Sequence, residues 1–242
     1  MFYPHLFYHV AMMGDYRNIF IEQMDFIQNN LTCEYQLHAC CLGDISEFEW
    51  VKQNTYRHTD YVHIGCDISA YEFPTLSYMH TICSKLADKT PILYLHTKGA
   101  SKHNRRKRND RRFAMEMCVN KLELIKGAID NYEVISPKWE DNSMFGKKEL
   151  SETLHGVPFR NFFWTNSDYI KILGDIYNFP NQDTKNRYNA ERYVGSNINN
   201  IKCFDLNDNK EYIYKKAGVT MDNLLDTLGI KYNTDKSTME GG

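Results

Sequence analysis

The sequence predicts an α/β fold, a mixed but mainly parallel sheet flanked by helices, and three observations carry that prediction. Apolar runs of strand length alternate with stripes of helical period near the N-terminus, the β-α-β order of a parallel sheet. The run Pro91–Leu95 stops at His96, Thr97, Lys98, Gly99 and Ser101. A strand that ends in a polar, glycine-containing loop is where open α/β sheets place their ligands. The 242 residues are 42% hydrophobic and 25% charged, enough to supply the core of one large domain.

Leu6–Ala11 reads as the first strand. Gly14 and Asp15 turn the chain, with Asp15 placed as a helix N-cap, and Tyr16, Phe20, Met24 and Ile27 line one helix face as far as Asn29 and Asn30. Tyr35–Leu42 is a second strand, stopped by Gly43 and Asp44, and Tyr61–Ile64 is a short third. Pro74 suits the first turn of a helix that Leu76, Met79, Cys83 and Leu86 continue. After the Pro91–Leu95 strand, Ala114, Cys118, Leu122, Ile125 and Ile129 form one long helical stripe. Tyr132–Ser136 and Asn161–Asn166 are strand-like, with a long loop over Pro137–Pro158 between them. Ser167 is placed to cap a short helix containing Tyr169, Ile170 and Leu173. Residues 174–186 read as polar loop and 187–195 as helical. After Ile201 the chain turns polar, with one amphipathic stretch at Met221–Leu228. A globular domain is therefore expected over 1–204, followed by a polar appendage over 205–242.

The net charge of −2 excludes a chain that binds polyanions with its whole surface. Positive charge is local: eight Lys and Arg fall between Lys98 and Arg112, opposed by Asp110 alone. The seven Cys include no C-x-x-C, and several sit in apolar patterns, so reduced cysteines and no zinc site are expected. No apolar run approaches the ~20 residues of a membrane span. The N-terminus lacks the basic and apolar regions of a secretory signal. A soluble cytoplasmic protein is expected. Motifs for P-loops, dinucleotide sites, hydrolase elbows and H-E-x-x-H zinc sites are absent.

Three clusters carry possible chemistry. The loop after Leu95 offers a turn at Gly99, hydroxyls at Thr97 and Ser101, the His96 imidazole and the Lys98 cation, a set that suits a diphosphate. The same residues also fit a solvated basic face ahead of a helix. Asn161–Asp168 interleaves amides with aromatics, which suits the face of a sugar and equally a core strand ending in an N-cap. Arg187 and Glu191 fit a surface i,i+4 pair, and Glu191 also fits a general base acting on a hydroxyl.

Taken together and in order, these stretches resemble one known family. They are His9-Val10 at the first strand end, Y-E-F-P-T-L at 71–76, I-L-Y-L-H-T-K-G-A-S at 92–101, R-F-A-M at 112–115, N-F-F-W-x-N-S-D-Y-I at 161–170 and R-x-x-A-E-x-Y-x-G at 187–195. They resemble GT-A-like glycosyltransferases of bacterial surface-polysaccharide clusters and large DNA viruses, akin to the N-terminal domain of chlorella-virus multidomain glycan enzymes. The resemblance spans about His9 to Gly195 and implies a GT-A, Rossmann-like fold, a nucleotide-sugar donor and a glycan or glycoprotein acceptor. By position it puts His9, His96, Thr97, Lys98, Gly99, Ser101 and Arg112 at the donor. It puts Asn161, Phe162, Trp164 and Arg187 at the acceptor, and matches Glu191 to the glutamate of a late R-x-x-x-E. On a transferase reading Glu191, or Asp168 as second choice, would deprotonate the acceptor hydroxyl if the enzyme inverts. The chain departs from the family pattern in several places. Phe159-Arg160 replaces Ser-Gly, Phe163 replaces a Trp, and Arg111 replaces the Trp of W-R-x-x-M.

Many GT-A enzymes hold Mn²⁺ or Mg²⁺ with a D-x-D at the end of the equivalent strand, which is missing here. Asp67-Ile68-Ser69 and Asp205-Leu206-Asn207-Asp208 are poor substitutes. The metal candidates are His96 and Asp168, and Lys98 with the arginines could supply the charge instead. The stretch 228–236 resembles the Y-G-T-D-K opening of some S-adenosylmethionine methyltransferase domains, and it equally fits a chance match in a polar tail. Two rival readings stand beside the transferase. One is a nucleic-acid-binding module using 102–112, which the acidic remainder and the lack of RRM, KH or zinc patterns disfavour. The other is a degenerate transferase fold kept as a binding protein.

Overall fold

The computed structural model describes residues 2–54, 59–101, 105–141, 156–178, 187–196 and 201–214. Lys102, Gly146, the stretch Met221–Leu228 and the segment 228–236 lie outside them. Ten strands and seven α-helices are present among the described residues. The main sheet has eight strands, in the order β3-β2-β1-β4-β8-β5-β9-β10. Its first half is parallel: β1 (His5–Ala11) lies between β2 (Gln36–Leu42) and β4 (Pro91–His96), with β3 (Thr59–Gly65) outside β2. Then β8 (Phe163–Asn166) runs antiparallel to both β4 and β5 (Val134–Ser136). The far edge is β9 (Ile201–Asp205), parallel to β5, and β10 (Lys210–Tyr214), antiparallel to β9. The expected mixed, mainly parallel, Rossmann-like α/β architecture is present.

Strand periodicity explains the layering. On β1, Leu6, Tyr8 and Val10 join one apolar cluster while Phe7 joins the other; on β4, Leu93 and Leu95 face one way while Ile92 and Tyr94 face the other. A sheet buried on both faces needs helices on both. The first face is covered by α1 (Tyr16–Asn30), α2 (Ile45–Gln53), α4 (Arg105–Asn120) and α5 (Leu122–Ala128). The second is covered by α3 (Phe73–Cys83), α6 (Ser167–Leu173) and α7 (Arg187–Arg192). Each large apolar side chain so enclosed contributes about 1.5–3 kcal/mol. All seven cysteines are free, five of them buried. No helix among the described residues is long and apolar enough to cross a membrane.

The structure differs from the sequence expectation in several elements. The single stripe Ala114–Ile129 is two helices, broken at Lys121. The basic residues from Arg105 onward lie inside α4, not ahead of it. Asp15 sits at the N-cap of α1 without a side-chain cap bond, and it is Asn166, not Ser167, whose oxygen caps α6 by accepting from the Tyr169 amide at 3.0 Å. The loop expected over 137–158 contains β6 (Trp139–Asp141) and β7 (Gly156–Pro158), which pair as a two-stranded sheet. The sheet also continues past residue 204 into β9 and β10.

Two backbone constraints shape the end of the sheet nearest the loop after β4. Gly14 has φ +56°, and a Cβ there would lie 2.1 Å from the Ala100 carbonyl oxygen. That closeness lets the Asp15 amide donate to the same oxygen at 3.0 Å. Arg160 has φ +57° and ψ 23°, a left-handed conformation that disfavours a side chain by about 1–2 kcal/mol. Arg160 stays there because Nε and NH2 both reach Asp110 Oδ2 at 2.9 Å.

Three sheet histidines are buried and held neutral. Burial pushes His9 and His38 down to about 4, and burial together with Lys98 pushes His96 down to about 3. An unfolded chain protonates them near 6.5 while the folded one does not, so stability is complete above pH 6.5 and is lost as pH falls towards 4. We predict a loss of about 1.4 kcal/mol per pH unit for each such group. Urea midpoints between pH 6.5 and 4.5 measure it, and His38→Asn should flatten the slope. A second prediction concerns Arg160. Arg160→Gly should be more stable than Arg160→Ala by about 1 kcal/mol, because both lose the Asp110 pair but only alanine keeps the strain. Equal urea midpoints for the two would contradict it.

Candidate functional site

The strand order reverses between β1 and β4: the chain proceeds outward from β1 to β2 and β3, then returns to place β4 on the other side. Ligands of open α/β sheets bind at the carboxyl ends of strands that part in this way. A cleft of about 510 Å³ opens there, and His9 and His96, register partners on the two strands, both line it.

Parting strands leave backbone groups without ladder partners, and local side chains replace them. The Thr97 amide still donates to the His9 carbonyl at 3.1 Å, but the next donor, the Ala11 amide, goes to Thr97 Oγ1 at 3.0 Å. The chain then turns through Gly99, at φ +91°, and the Ala100 amide closes the turn on the Thr97 carbonyl at 3.2 Å. Arg111, 4% exposed, braces the turn from below by donating from NH1 to the Lys98 carbonyl at 2.9 Å. Its NH2 donates to Glu22 Oε2 at 2.8 Å. Gln23, also buried, donates to the His96 carbonyl at 3.2 Å and accepts from Tyr8 Oη at 2.8 Å.

The cleft floor is a polar network. His96 Nε2 donates to the Arg160 carbonyl at 2.8 Å, which fixes the neutral tautomer and leaves Nδ1 3.4 Å from Glu72 Oε1. The other Glu72 oxygen accepts from Tyr94 Oη at 2.8 Å and from Asn161 Nδ2. His9 Nδ1 pairs with Thr75 Oγ1 at 2.7 Å. At the mouth, Lys98 Nζ lies 3.5 Å from Glu191 Oε1, both partly exposed. Glu191 rides on α7, and the 3-10 turn Tyr193–Gly195 that follows it is seated closely: a Cβ on Gly195 would fall 1.8 Å from the Gly156 carbonyl oxygen on β7.

The fold thus gathers at one cleft His9, His96, Thr97, Lys98, Gly99, Ser101 and Glu191 of the residues expected at the site. Asn161 joins from beneath through Glu72. Others are not gathered. Arg112 is exposed and ion-paired to Glu22 at 2.6 Å, and it is Arg111 that reaches the loop. Phe162 and Trp164, expected to face an acceptor, are wholly buried, and Trp164 Nε1 donates to the Cys118 carbonyl at 2.9 Å. Trp164 is a core side chain because β8 lies in the middle of the sheet; Phe162 is not on the strand as expected but follows the 3-10 turn Phe159–Asn161, and it packs into the same apolar cluster. Asp168 lies in the first turn of α6, just beyond Asn166, which pairs with Pro91 at the opposite end of β4, and it accepts from Lys171 Nζ at 3.3 Å. Five residues of strand, roughly 17 Å, separate that end from His96. His96 and Asp168 therefore cannot share a metal ion. Arg187 opens α7, and its side chain lies outside the described residues.

The substitute acidic pairs have structural partners. Asp67 Oδ1 accepts from the Ser69 amide at 2.9 Å, and buried Asp205 takes the amides of Trp139, Asn207 and Asp208. Among the described residues no group of three or more His, Cys, Asp or Glu could hold a metal ion. Glu72 lies in the Y-E-F-P-T-L segment but is not legible there as a site residue. A carboxylate just before a helix reads as an ordinary N-terminal acid, and nothing local reveals that Tyr94, His96 and Asn161 converge on it.

A comparison with curated proteins found no match. A family does match residues 2–207, which include all the residues that line the cleft. By that match the chain belongs to the family described as Domain of unknown function (DUF8361).

Proposed function

We propose that this protein is a glycosyltransferase that moves a sugar from a nucleoside-diphosphate donor to a glycan hydroxyl. The observation that carries the reading is the Lys98–Glu191 pair, a cation and a carboxylate 3.5 Å apart at the mouth of a cleft at the strand-order reversal. A diphosphate arriving at the turn after β4 takes over Lys98, whose ammonium neutralises the leaving group as the glycosidic bond breaks. Glu191 is then released to accept the proton of the acceptor hydroxyl. That oxygen forms the new bond to the anomeric carbon, and the diphosphate oxygen leaves with the electron pair of the old one. A single displacement of this kind inverts the anomeric centre. His96, neutral and fixed by the Arg160 carbonyl, holds the end of β4 in place without adding charge. Glu72 offers Oε1 to donor hydroxyls. Among the described residues no group of three or more His, Cys, Asp or Glu could hold a metal ion, and Lys98 supplies the positive charge at the diphosphate.

Lys98→Ala should abolish transfer while leaving the thermal unfolding midpoint near that of the wild type. Unchanged turnover would remove the turn after β4 from the site. Glu191→Gln should lower kcat by about 10²- to 10⁴-fold while donor affinity holds or tightens, since Lys98 loses its competing carboxylate. A thermal-shift screen of UDP-, GDP-, dTDP- and CMP-sugars with and without Mn²⁺ should give stabilisation by one base. No shift with any of them would count against the reading.

A further inference from the structure

A second depression, of about 320 Å³, lies between α1 and the start of α4. It meets the cleft at Gly99 and Lys107, which line both. Five Lys and Arg line it against two carboxylates, Asp15 and Glu22. Glu22 is already taken, by Arg111 at 2.8 Å and Arg112 at 2.6 Å, so one carboxylate faces two guanidinium groups. Arg105 and Arg108 are exposed and make no ion pair among the described residues.

The spacing makes this arrangement costly unless something answers it. Arg105, Arg108 and Arg112 recur at i, i+3 and i+7 on one helix face, where like charges repel. Arg111 adds an independent sign. It is buried, it lines this depression, and its Nε finds no hydrogen-bond partner. A charged donor left unpaired in the interior is unfavourable, and because that nitrogen is enclosed, a small movement of the guanidinium towards an anionic oxygen in the depression would be needed to satisfy it. Guanidinium groups set on successive turns match the tetrahedral oxygens of phosphate.

We propose that this groove is a phosphate subsite separate from the cleft. On the glycosyltransferase reading, on which this assignment rests, it holds a phosphate carried by the acceptor. The donor diphosphate occupies the cleft at Lys98, and the acceptor's phosphate lies across the shared edge at Gly99 and Lys107. The acceptor class is then a phosphorylated or diphosphate-linked glycan, not a neutral one.

The test uses the full chain and inorganic pyrophosphate as probe, with calorimetric titration of the wild type, Arg105→Ala/Arg108→Ala and Lys98→Ala. Pyrophosphate affinity should fall about tenfold or more in the double arginine variant. Because pyrophosphate also resembles the donor diphosphate, Lys98→Ala should remove only the share bound in the cleft, a smaller loss than in the double arginine variant. The nucleoside diphosphate that stabilises the protein best should show the reverse pattern. Unchanged pyrophosphate affinity in the arginine variant, or a larger loss in Lys98→Ala, overturns the subsite. The expected pyrophosphate pattern without any nucleoside-diphosphate binding supports the groove and refutes the donor reading alone. A single-stranded RNA of about 20 nucleotides provides the last arm. If it binds far more tightly than pyrophosphate, with a steep salt dependence lost in the arginine variant, the ligand is a nucleic acid and the acceptor assignment fails.

Discussion

The site depends on one junction, the place where β1 and β4 stop being neighbours. Two parallel strands that part expose backbone donors and acceptors in the middle of the molecule, and a buried group left unpaired is costly. Here the Thr97 hydroxyl takes the Ala11 amide and the Ala100 carbonyl takes the Asp15 amide. The two strands are thereby tied again one residue beyond their ladder. Gly14 makes the second tie possible and Arg111 supports the turn beneath it. The cleft is the space left once those obligations are met, and Lys98 projects into it because its neighbours are committed elsewhere.

Charge in the cleft is correspondingly sparse. His9 and His96 line it, yet both are held neutral by burial. What remains is a carboxylate on the floor, Glu72, an opposed pair at the mouth, Lys98 and Glu191, and one further charge of each sign in the lining, Asp67 and Lys107. In a low-dielectric recess a few charges act more strongly than many exposed ones. The arginines next door differ, being numerous, mostly exposed and only partly compensated.

The first half of the fold was legible because its strands bury both faces and so read as continuous apolar runs. Leu6–Ala11 and Pro91–Leu95 were found to within one residue. The polar turn after Leu95 pointed to the cleft for the same reason. Other elements left weaker traces. In α2 the only buried positions are Phe48 and Val51, too few for a helical stripe. The edge strand β10 starts with Lys210 and Glu211, the charged pattern that protects an edge and hides a strand. Phe162 and Trp164 misled because an aromatic stripe reads alike in a core and in a groove, and only the antiparallel seat of β8 between β4 and β5 decides. Glu72 and Arg111 take their roles from partners 13 to 89 residues away, which no local pattern encodes.

The contact of Gly195 with Gly156 sets a different kind of limit. Where two helices or strands meet through side chains, their spacing can drift as those side chains change, since one shape can be traded for another. Here main chain rests on main chain, with no room for a methyl group. The turn Tyr193–Gly195, which follows directly on the helix bearing Glu191, is therefore referenced to β7 by atoms that every sequence shares. The width of the cleft mouth becomes a dimension that substitution in α7 can decorate but not rescale.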